Sequence, residues 1–199
     1  MKHPDRIFTD AEVRRLLRAV RARARRGTTL DRVDHALITF CWATGCRASE
    51  IASISIDRNQ TNHLDLESGS VVIRDAKWDS RGVIPLDARS LRTLRWFVRE
   101  IRPLIRNAEI LDRLFITKTG SVYSPNKMSK KLSMLLTRYG FPTKTAHSLR
   151  HHFCTDLFRR GAKLHEAKAL MRHRDVRSTM VYSHVTVEDL RAAVNRRVG

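Results

Sequence analysis

The chain has few acidic residues, few cysteines and no long apolar run. Its 199 residues include 20 Asp and Glu against 39 Lys and Arg, a formal net charge of +19 at pH 7. A balance this basic is typical of a protein that meets a polyanion, so we expect nucleic acid as the partner, with an anionic membrane surface as the alternative. The apolar fraction of 42% and its recurrent periodicity argue against disorder and indicate a folded chain.

Other absences narrow the class of protein further. Cys41, Cys46 and Cys154 form no C-x-x-C pair and leave an odd thiol, so we expect reduced cysteines in an intracellular, cytoplasmic protein. No apolar stretch is long enough to span a bilayer, and no signal-peptide pattern occurs, so we expect no membrane partner. The sequence also lacks a glycine-rich phosphate loop and a carboxylate cluster for magnesium, and we expect neither metal nor other cofactor.

Apolar periodicity and helix-end signals predict that most of the chain is helical. Thr9 and Glu12 can form a capping box at the start of the first helix. A second helix is predicted from about Asp31 to Thr44, with Gly45 as its left-handed end. Further helices are predicted over 48–54, from Asp87 to near Pro103, from Ser124 to Tyr139, over 145–160 and 163–172, and from Thr186 onward.

Two short segments predict a small sheet. SVVIRD (70–75) and RGVIPLD (81–87) are typical of strands, and AKWDS between them predicts a hairpin. RLFIT (113–117) indicates a short strand or an extended segment. We therefore expect an α+β fold that is mainly α-helical with a small antiparallel sheet, formed by a single domain over residues 1–199.

The first helix carries arginines on the face opposite its apolar residues. Arg14, Arg15, Arg18 and Arg21 lie on that face, and the basic run continues past them. Such a face either is simply solvated or contacts nucleic-acid phosphates, and both interpretations remain open.

Several polar residues interrupt the helical pattern. In TGCRASE, Arg47 follows a helix-ending glycine and Glu50 comes three residues later, so the two form a structural ion pair or part of a site. In HSLRH, His147 and Arg150 share one face of a helix. His147 and His151 also have the spacing of a metal pair, but the motif lacks the H-E-x-x-H glutamate and a third ligand with a supporting spacing.

The order of these motifs is more specific than any one of them. TGCRASE, a hairpin with Lys77 in its turn, HSLRHHFCT and LMRHRDVRSTMVYSH follow each other along the chain. This order resembles the catalytic domain of the tyrosine recombinases, the phage integrase family, over nearly the whole chain. The resemblance implies the fold of the DNA breaking-rejoining enzymes. It also implies a chain that lacks the separate DNA-clamping domain of most members, as a minimal recombinase or a catalytic fragment.

The resemblance implies a role for each matching position. Arg47 and Arg150 are the catalytic arginines, Glu50 is the acidic neighbour of Arg47, and Lys77 is the lysine of the mobile hairpin. His147 pairs with Arg150 in the H-x-x-R motif, His173 precedes the nucleophile segment, and Tyr182 is the nucleophile. The position before His173, which is commonly glycine in the family, holds Arg172.

The implied activity is site-specific recombination of double-stranded DNA through a covalent 3′-phosphotyrosine, with integration, excision or inversion as its outcome. Planar arginine forks suit the phosphate, His147 is the candidate base, and Lys77 is the candidate acid for the 5′ oxygen. We expect a homotetramer on synapsed DNA, in which the last helix docks on a neighbouring subunit. Free in solution, the protein is expected to be a monomer or weak oligomer in the nucleoid region, and an accessory DNA-bending protein is a further candidate partner.

The other two tyrosines and two other classes of protein supply the comparison for this hypothesis. Tyr139 continues an apolar stripe and is predicted to be core, whereas Tyr123 lies in a turn; Tyr182 alone has a cationic surrounding in the sequence.

A type IB topoisomerase or a telomere resolvase uses the same phosphotyrosine step. A catalytically inactive, basic DNA-binding regulator is the alternative outside enzymes, although all six catalytic positions are filled.

Overall fold

The computed structural model describes residues 7–75, 80–172 and 187–198. Within these ranges the chain forms eight α-helices and one three-stranded antiparallel sheet. The helices are α1 (Asp10–Arg26), α2 (Thr29–Thr44), α3 (Ala48–Ser53), α4 (Ala88–Trp96), α5 (Pro125–Arg138), α6 (Ala146–Arg159), α7 (Leu164–Met171) and α8 (Val187–Val198). The predicted mainly helical fold with a small antiparallel sheet is confirmed. No helix in these ranges has the length and apolar character needed to cross a membrane.

The first two helices begin with capping boxes. The Thr9 side chain accepts from the Glu12 backbone, and the Glu12 carboxylate accepts from the Thr9 N–H at 2.8 Å, as predicted. Thr28 and Asp31 make the same reciprocal contact at α2, so this helix begins at Thr29, slightly before the predicted Asp31. In both cases a side chain satisfies backbone donors that the helix itself leaves without a partner.

The sheet has the order β1 (His63–Asp65), β2 (Ser70–Asp75) and β3 (Ser80–Pro85). The predicted hairpin is confirmed: β2 pairs antiparallel with β3, with Val72 opposite Val83. β1 was not predicted from the sequence, because three residues carry too little alternation to signal a strand. The hairpin turn, which contains Lys77, lies outside the described residues.

The helix predicted from Asp87 to near Pro103 changes its pitch partway. α4 ends at Trp96, a π-helical segment covers Phe97–Ile101, and a 3₁₀ turn covers Arg102–Leu104. The buried Arg102 side chain anchors this end, because its guanidinium donates to the carbonyls of Ala108, Leu111 and Arg113. The 113–117 segment is extended rather than a strand and makes only isolated bridges, one of them between Arg113 and Ser55.

Helix α2 is at the centre of the core. Leu37, Ile38 and Phe40 are almost completely inaccessible to solvent. The Phe40 ring meets Phe115 edge-on at 5.6 Å, and Phe115 stacks on Phe97 at 5.4 Å. Because α2 is held on several sides, its carboxyl end is a rigid position from which to present the residues that follow it.

The final helix packs against its own chain. Leu190, Ala193 and Val194 are buried, and α8 contacts β3, α6 and α7. Within one chain this helix thus packs on its own domain, and its docking on a neighbouring subunit stays a prediction. The apolar stripe finds its groove within the chain, whereas Val187, the first residue of the predicted stripe, is 39% exposed.

Candidate active site

The end of α2 positions Arg47, the first residue of the site. Gly45 adopts φ 59° and ψ 20°, and its N–H donates to the carbonyl of Cys41 at 3.0 Å. This left-handed geometry reverses the chain, and the ring of Phe153 lies 2.7 Å from where a Cβ at Gly45 would be. Glycine is therefore required for both its backbone conformation and its small size, and Arg47 follows it at the start of α3.

Glu50 joins Arg47 at that helix start. Its carboxylate accepts from the Arg47 backbone N–H at 2.6 Å and from Arg47 Nη1 at 2.9 Å. The Glu50 side chain is 13% exposed, whereas that of Arg47 is 40% exposed and open to a ligand. Burial alone would raise the pKa of Glu50, but the guanidiniums of Arg172 and Arg47 lower it overall, so Glu50 is a carboxylate at neutral pH.

Arg150 reaches the same place from α6. Its buried guanidinium donates to the carbonyl of Gly45 at 2.8 Å and to that of Met171 at 2.5 Å, and Nη1 lies 3.9 Å from Glu50. Burial, together with the positive charge of Arg47, lowers the pKa of Arg150 to about 10. The structure thus brings together three of the predicted residues, Arg47, Glu50 and Arg150, from segments far apart in the sequence.

His147 lies one helical turn before Arg150 and is exposed. It lines a groove of about 480 Å³ together with Ile7, Pro142, Thr143, Thr145, Ser148 and His151. The imidazole of His151 is engaged by the hydroxyl of Thr155 at 3.3 Å. Among the residues that the structure describes, no three His, Cys, Asp or Glu side chains gather as a metal site would require.

Arg172 is a further residue of the site that was not predicted from the sequence. Its Nη2 donates to a Glu50 oxygen at 2.8 Å, and its side chain is only 9% exposed. The one signal in the sequence was an arginine at a position that the resemblance gives to glycine. With Arg47 and Arg150, three guanidiniums lie within 4 Å of one carboxylate, so these four side chains leave an excess of two positive charges. Such a site attracts an anion.

Three predicted site residues, Lys77, His173 and Tyr182, lie outside the described residues. The other two tyrosines are partly buried against the hydrophobic core. Burial raises the pKa of both Tyr123 and Tyr139, and the nearby Asp34 carboxylate acts in the same direction. Neither hydroxyl is in a setting that favours its phenolate.

The arginines of α1 are exposed along the helix, at Arg14, Arg15, Arg18 and Arg21. The guanidinium of Arg15 stacks over the Phe141 ring at 4.5 Å. A solvated face and a phosphate-contacting face both fit this exposure.

Sequence comparison relates the chain to recombinases. Residues 6–189 match the model of the Phage integrase family, a span that includes every predicted site position. The chain is 28% identical over 193 residues to "Tyrosine recombinase XerC" of Lactobacillus leichmannii, covering 96% of this chain and 62% of that protein. It is 30% identical over 194 residues to "Tyrosine recombinase XerC 2" of Ralstonia nicotianae, covering 96% and 53%. The chain thus spans between about half and three-fifths of the length of these relatives.

Structural comparison gives a concordant result for the fold. The chain superposes on the XerH site-specific recombinase, whose structure is a pre-cleavage complex bound to difH substrate, with a TM-score of 0.63 and 22% sequence identity. The match covers 92% of this chain and 51% of that one. At this identity the likeness shows a shared fold, that of a recombinase catalytic domain.

Proposed function

The chain belongs to the phage integrase family, and we propose that it cleaves and rejoins double-stranded DNA at specific sites through a covalent 3′-phosphotyrosine. Its outcome is integration, excision or inversion of a DNA segment. Residues 1–199 act as a single catalytic domain in this proposal. The convergence of Arg47 and Arg150 beside the Glu50 carboxylate is the observation that carries it.

The two arginines suit the phosphate that is attacked. Arg150 uses two of its five N–H groups on backbone carbonyls, and Arg47 presents an exposed fork. The remaining donors can meet the non-bridging oxygens, on which negative charge accumulates in the transition state. Because their neighbours already hold them in place, they stabilise this charge without reorganising at the moment of reaction.

Tyr182 supplies the nucleophile in this proposal. The chain has three tyrosines, and the other two are packed against the core with raised pKa values. A phenol with an ordinary pKa of about 10 is a weak nucleophile at neutral pH, so it needs a base or a cationic surrounding. The positive site formed by the arginines favours a phenolate.

The proton transfers are assigned to three further residues. His147, exposed beside the groove on α6, is the candidate base, and His173 is a candidate hydrogen-bond donor to the phosphate. Lys77 is the candidate acid that protonates the leaving 5′ oxygen. The phosphotyrosyl linkage retains the energy of the broken phosphodiester, so that the 5′ hydroxyl of a partner strand can attack it and close the new junction.

The partner of the proposed activity is duplex DNA. The net charge of +19 supports strong, salt-dependent binding to phosphates. We further propose a homotetramer on two synapsed sites and an accessory DNA-bending protein in the complex, with the protein a monomer or weak oligomer when free.

A covalent-capture experiment tests this function and identifies the target sequence at the same time. The protein is incubated with a library of randomised, nicked duplexes, and DNA that remains attached after denaturation in detergent is sequenced. A common sequence joined to the protein through its 3′ phosphate is the expected result. DNA binding without any attached DNA would indicate the inactive regulator instead. Attachment followed by relaxation of one duplex, without strand exchange between two, would indicate a topoisomerase-like enzyme.

A further inference from the structure

Arg172 has an unusual backbone for its residue type. It ends α7 in the left-handed region, with φ 51° and ψ 50°. Among the described residues, Asn107 is the only other non-glycine residue with positive φ. For an L-residue other than Asn or Asp, this conformation costs roughly 1–2 kcal/mol. Contacts elsewhere must therefore hold Arg172 in place.

Those contacts are made by its guanidinium. Nη2 donates to one oxygen of Glu50 at 2.8 Å, and Nε donates to the other oxygen at 3.3 Å. The guanidinium therefore binds both oxygens of the carboxylate. Nη1 donates to the carbonyl of Leu170 at 2.8 Å. The stem lies against Gly82 of β3, where a Cβ would be 2.7 Å from Cδ of Arg172. The side chain fills a space that the strand leaves open only because it has glycine there.

These bonds occupy the Glu50 carboxylate. It accepts two hydrogen bonds from Arg47 and two from Arg172. A carboxylate offers about four lone-pair directions, so Glu50 has none left for Arg150. Its separation of 3.9 Å from Arg150 Nη1 is too long for a hydrogen bond. Among the described residues, Arg150 donates only to backbone carbonyls.

We propose that Arg172 is a positioning residue that saturates Glu50 and thereby keeps this carboxylate from hydrogen-bonding to Arg150, whose N–H donors remain available to the phosphate. Without Arg172, two lone pairs of Glu50 are freed at 3.9 Å from Arg150 Nη1, and the carboxylate turns to close that distance to a hydrogen bond. A carboxylate bound to Arg150 competes directly with the phosphate. This inference rests on the proposed function, because it names a further residue for the same site.

The alternative is a purely structural role in which Arg172 only fastens the end of α7 to α3. Arg172→Gln and Glu50→Gln, made singly and together, separate the two roles. If Arg172 acts through Glu50, its loss weakens phosphate binding only while the carboxylate is present. If it contacts the phosphate directly, its loss weakens binding equally in the Glu50→Gln background.

The first measurement is a titration with inorganic phosphate, in which binding is monitored through the NMR signals of the arginine Nε–H groups. Arg172→Gln is expected to weaken phosphate binding by about tenfold, as for the loss of a charge-assisted contact, and to have no further effect in Glu50→Gln. Arg172→Lys should restore part of the affinity. Arg138→Gln, which removes an equal charge from the Arg138–Asp34 pair, is the control and should leave the affinity unchanged.

The second measurement is the single-turnover rate of covalent attachment to the duplex recovered by capture. This rate should fall by about tenfold in Arg172→Gln while DNA affinity stays nearly constant. If Arg172→Gln does not fold, Arg172→Gly is measured in its place, because glycine adopts the left-handed backbone without strain.

Phosphate affinity at the level of the unmodified chain in Arg172→Gln or Arg172→Gly would overturn the inference, and so would an equal loss in both Glu50 backgrounds. A failure of the proposed function can be told apart from a failure of this inference, because the phosphate titration does not depend on strand cleavage. In that case the unmodified chain would form no adduct, whatever the variants do with phosphate.

Discussion

Nε of Arg197 lies 3.0 Å from a carboxylate oxygen of Asp156, and the two side chains are 0% and 6% exposed. The Arg197 guanidinium also stacks over the rings of Trp42 and Phe153 at 4.3 and 4.5 Å, and it donates to the Trp42 carbonyl. Burial lowers the pKa of Arg197 to about 10 although Asp156 opposes this, so the arginine is still charged at neutral pH. A buried ion pair thus joins α8 to α6, and α2 supplies part of its surroundings.

Arg197→Met should destabilise the protein strongly. The substitution keeps most of the stem but leaves Asp156 buried with one cation fewer, which costs about 3 kcal/mol of unfolding free energy. Arg191→Met on the same helix is the control, because in the described part of the chain Arg191 donates an exposed hydrogen bond to the Ser68 carbonyl. Urea unfolding curves measure both. Equal and small losses in the two variants would show that the pair does not hold α8.

Gly45→Ala should cost more stability than Gly140→Ala. Both glycines have positive φ, 59° and 84°, so both substitutions bear a similar backbone penalty of about 1 kcal/mol. At Gly45 the new Cβ meets a side chain, the Phe153 ring, whereas at Gly140 no atom of the described residues lies within 4 Å of it. The extra overpacking is worth about 1–3 kcal/mol. Thermal unfolding of the two variants checks this, and similar losses would contradict the crowded geometry at the end of α2.

His35 should make the protein sensitive to acid. Burial, then the charges of Arg21 and Arg89, lower the pKa of His35 from 6.5 to about 4. Between these values the unfolded chain binds a proton that the folded chain does not, so the free energy of unfolding falls as pH falls from 6.5 to 4. The fall attributable to His35 is at most about 3 kcal/mol. It should be absent in His35→Phe, which keeps an aromatic ring beside Trp96.

Denaturant titrations of the unmodified chain and His35→Phe at a series of pH values isolate the contribution of His35 to the free energy of unfolding. The titrating carboxylates are the same in both proteins and cancel in the comparison. The difference between the two unfolding free energies should be constant above pH 6.5 and should shift in favour of His35→Phe as the pH falls below it. Curves that stay parallel across the range would show that His35 is not responsible.

Arg150→Lys should separate charge from geometry at the site. Lysine keeps the positive charge but cannot reproduce the planar fork, so the rate of covalent attachment should fall about 10²-fold while DNA affinity changes little. Arg159→Lys, at the exposed end of the same helix, is the control and should react at the normal rate. Single-turnover kinetics on the captured duplex measure both variants. A normal rate in Arg150→Lys would remove Arg150 from the active site.

Local signals in the sequence predicted most of the helices, because helix caps and left-handed helix ends depend on residues that are adjacent in the sequence. The Thr9–Glu12 box, the Gly45 turn and the start of α5 at Ser124 are as expected. The pitch change after Trp96 and the short strand at His63 were not predicted. Both depend on tertiary contacts, such as the hydrogen bonds of Arg102, that no local pattern contains.

The candidate site was predictable in its parts but not in its connections. The motif order placed Arg47, Glu50 and Arg150, and the structure brings these three together. The contact between Arg172 and Glu50 joins residues 122 positions apart, and an arginine in left-handed backbone gives no sign of its partner in the sequence. The groove for α8 was missed for a similar reason, since periodicity identifies an apolar face without identifying what covers it.

Attachment of DNA to Tyr182 is the central claim, and peptide mapping of the captured adduct tests it most directly. The adduct is digested with protease and nuclease, and the peptide that carries the residual 3′ nucleotide is identified by mass spectrometry. Tyr182→Phe is analysed in parallel, because it removes only the hydroxyl and should preserve folding and DNA affinity. The expected result is a nucleotide on Tyr182 in the unmodified chain and no adduct in Tyr182→Phe. A nucleotide on Tyr123 or Tyr139, or an adduct that persists in Tyr182→Phe, would contradict the account.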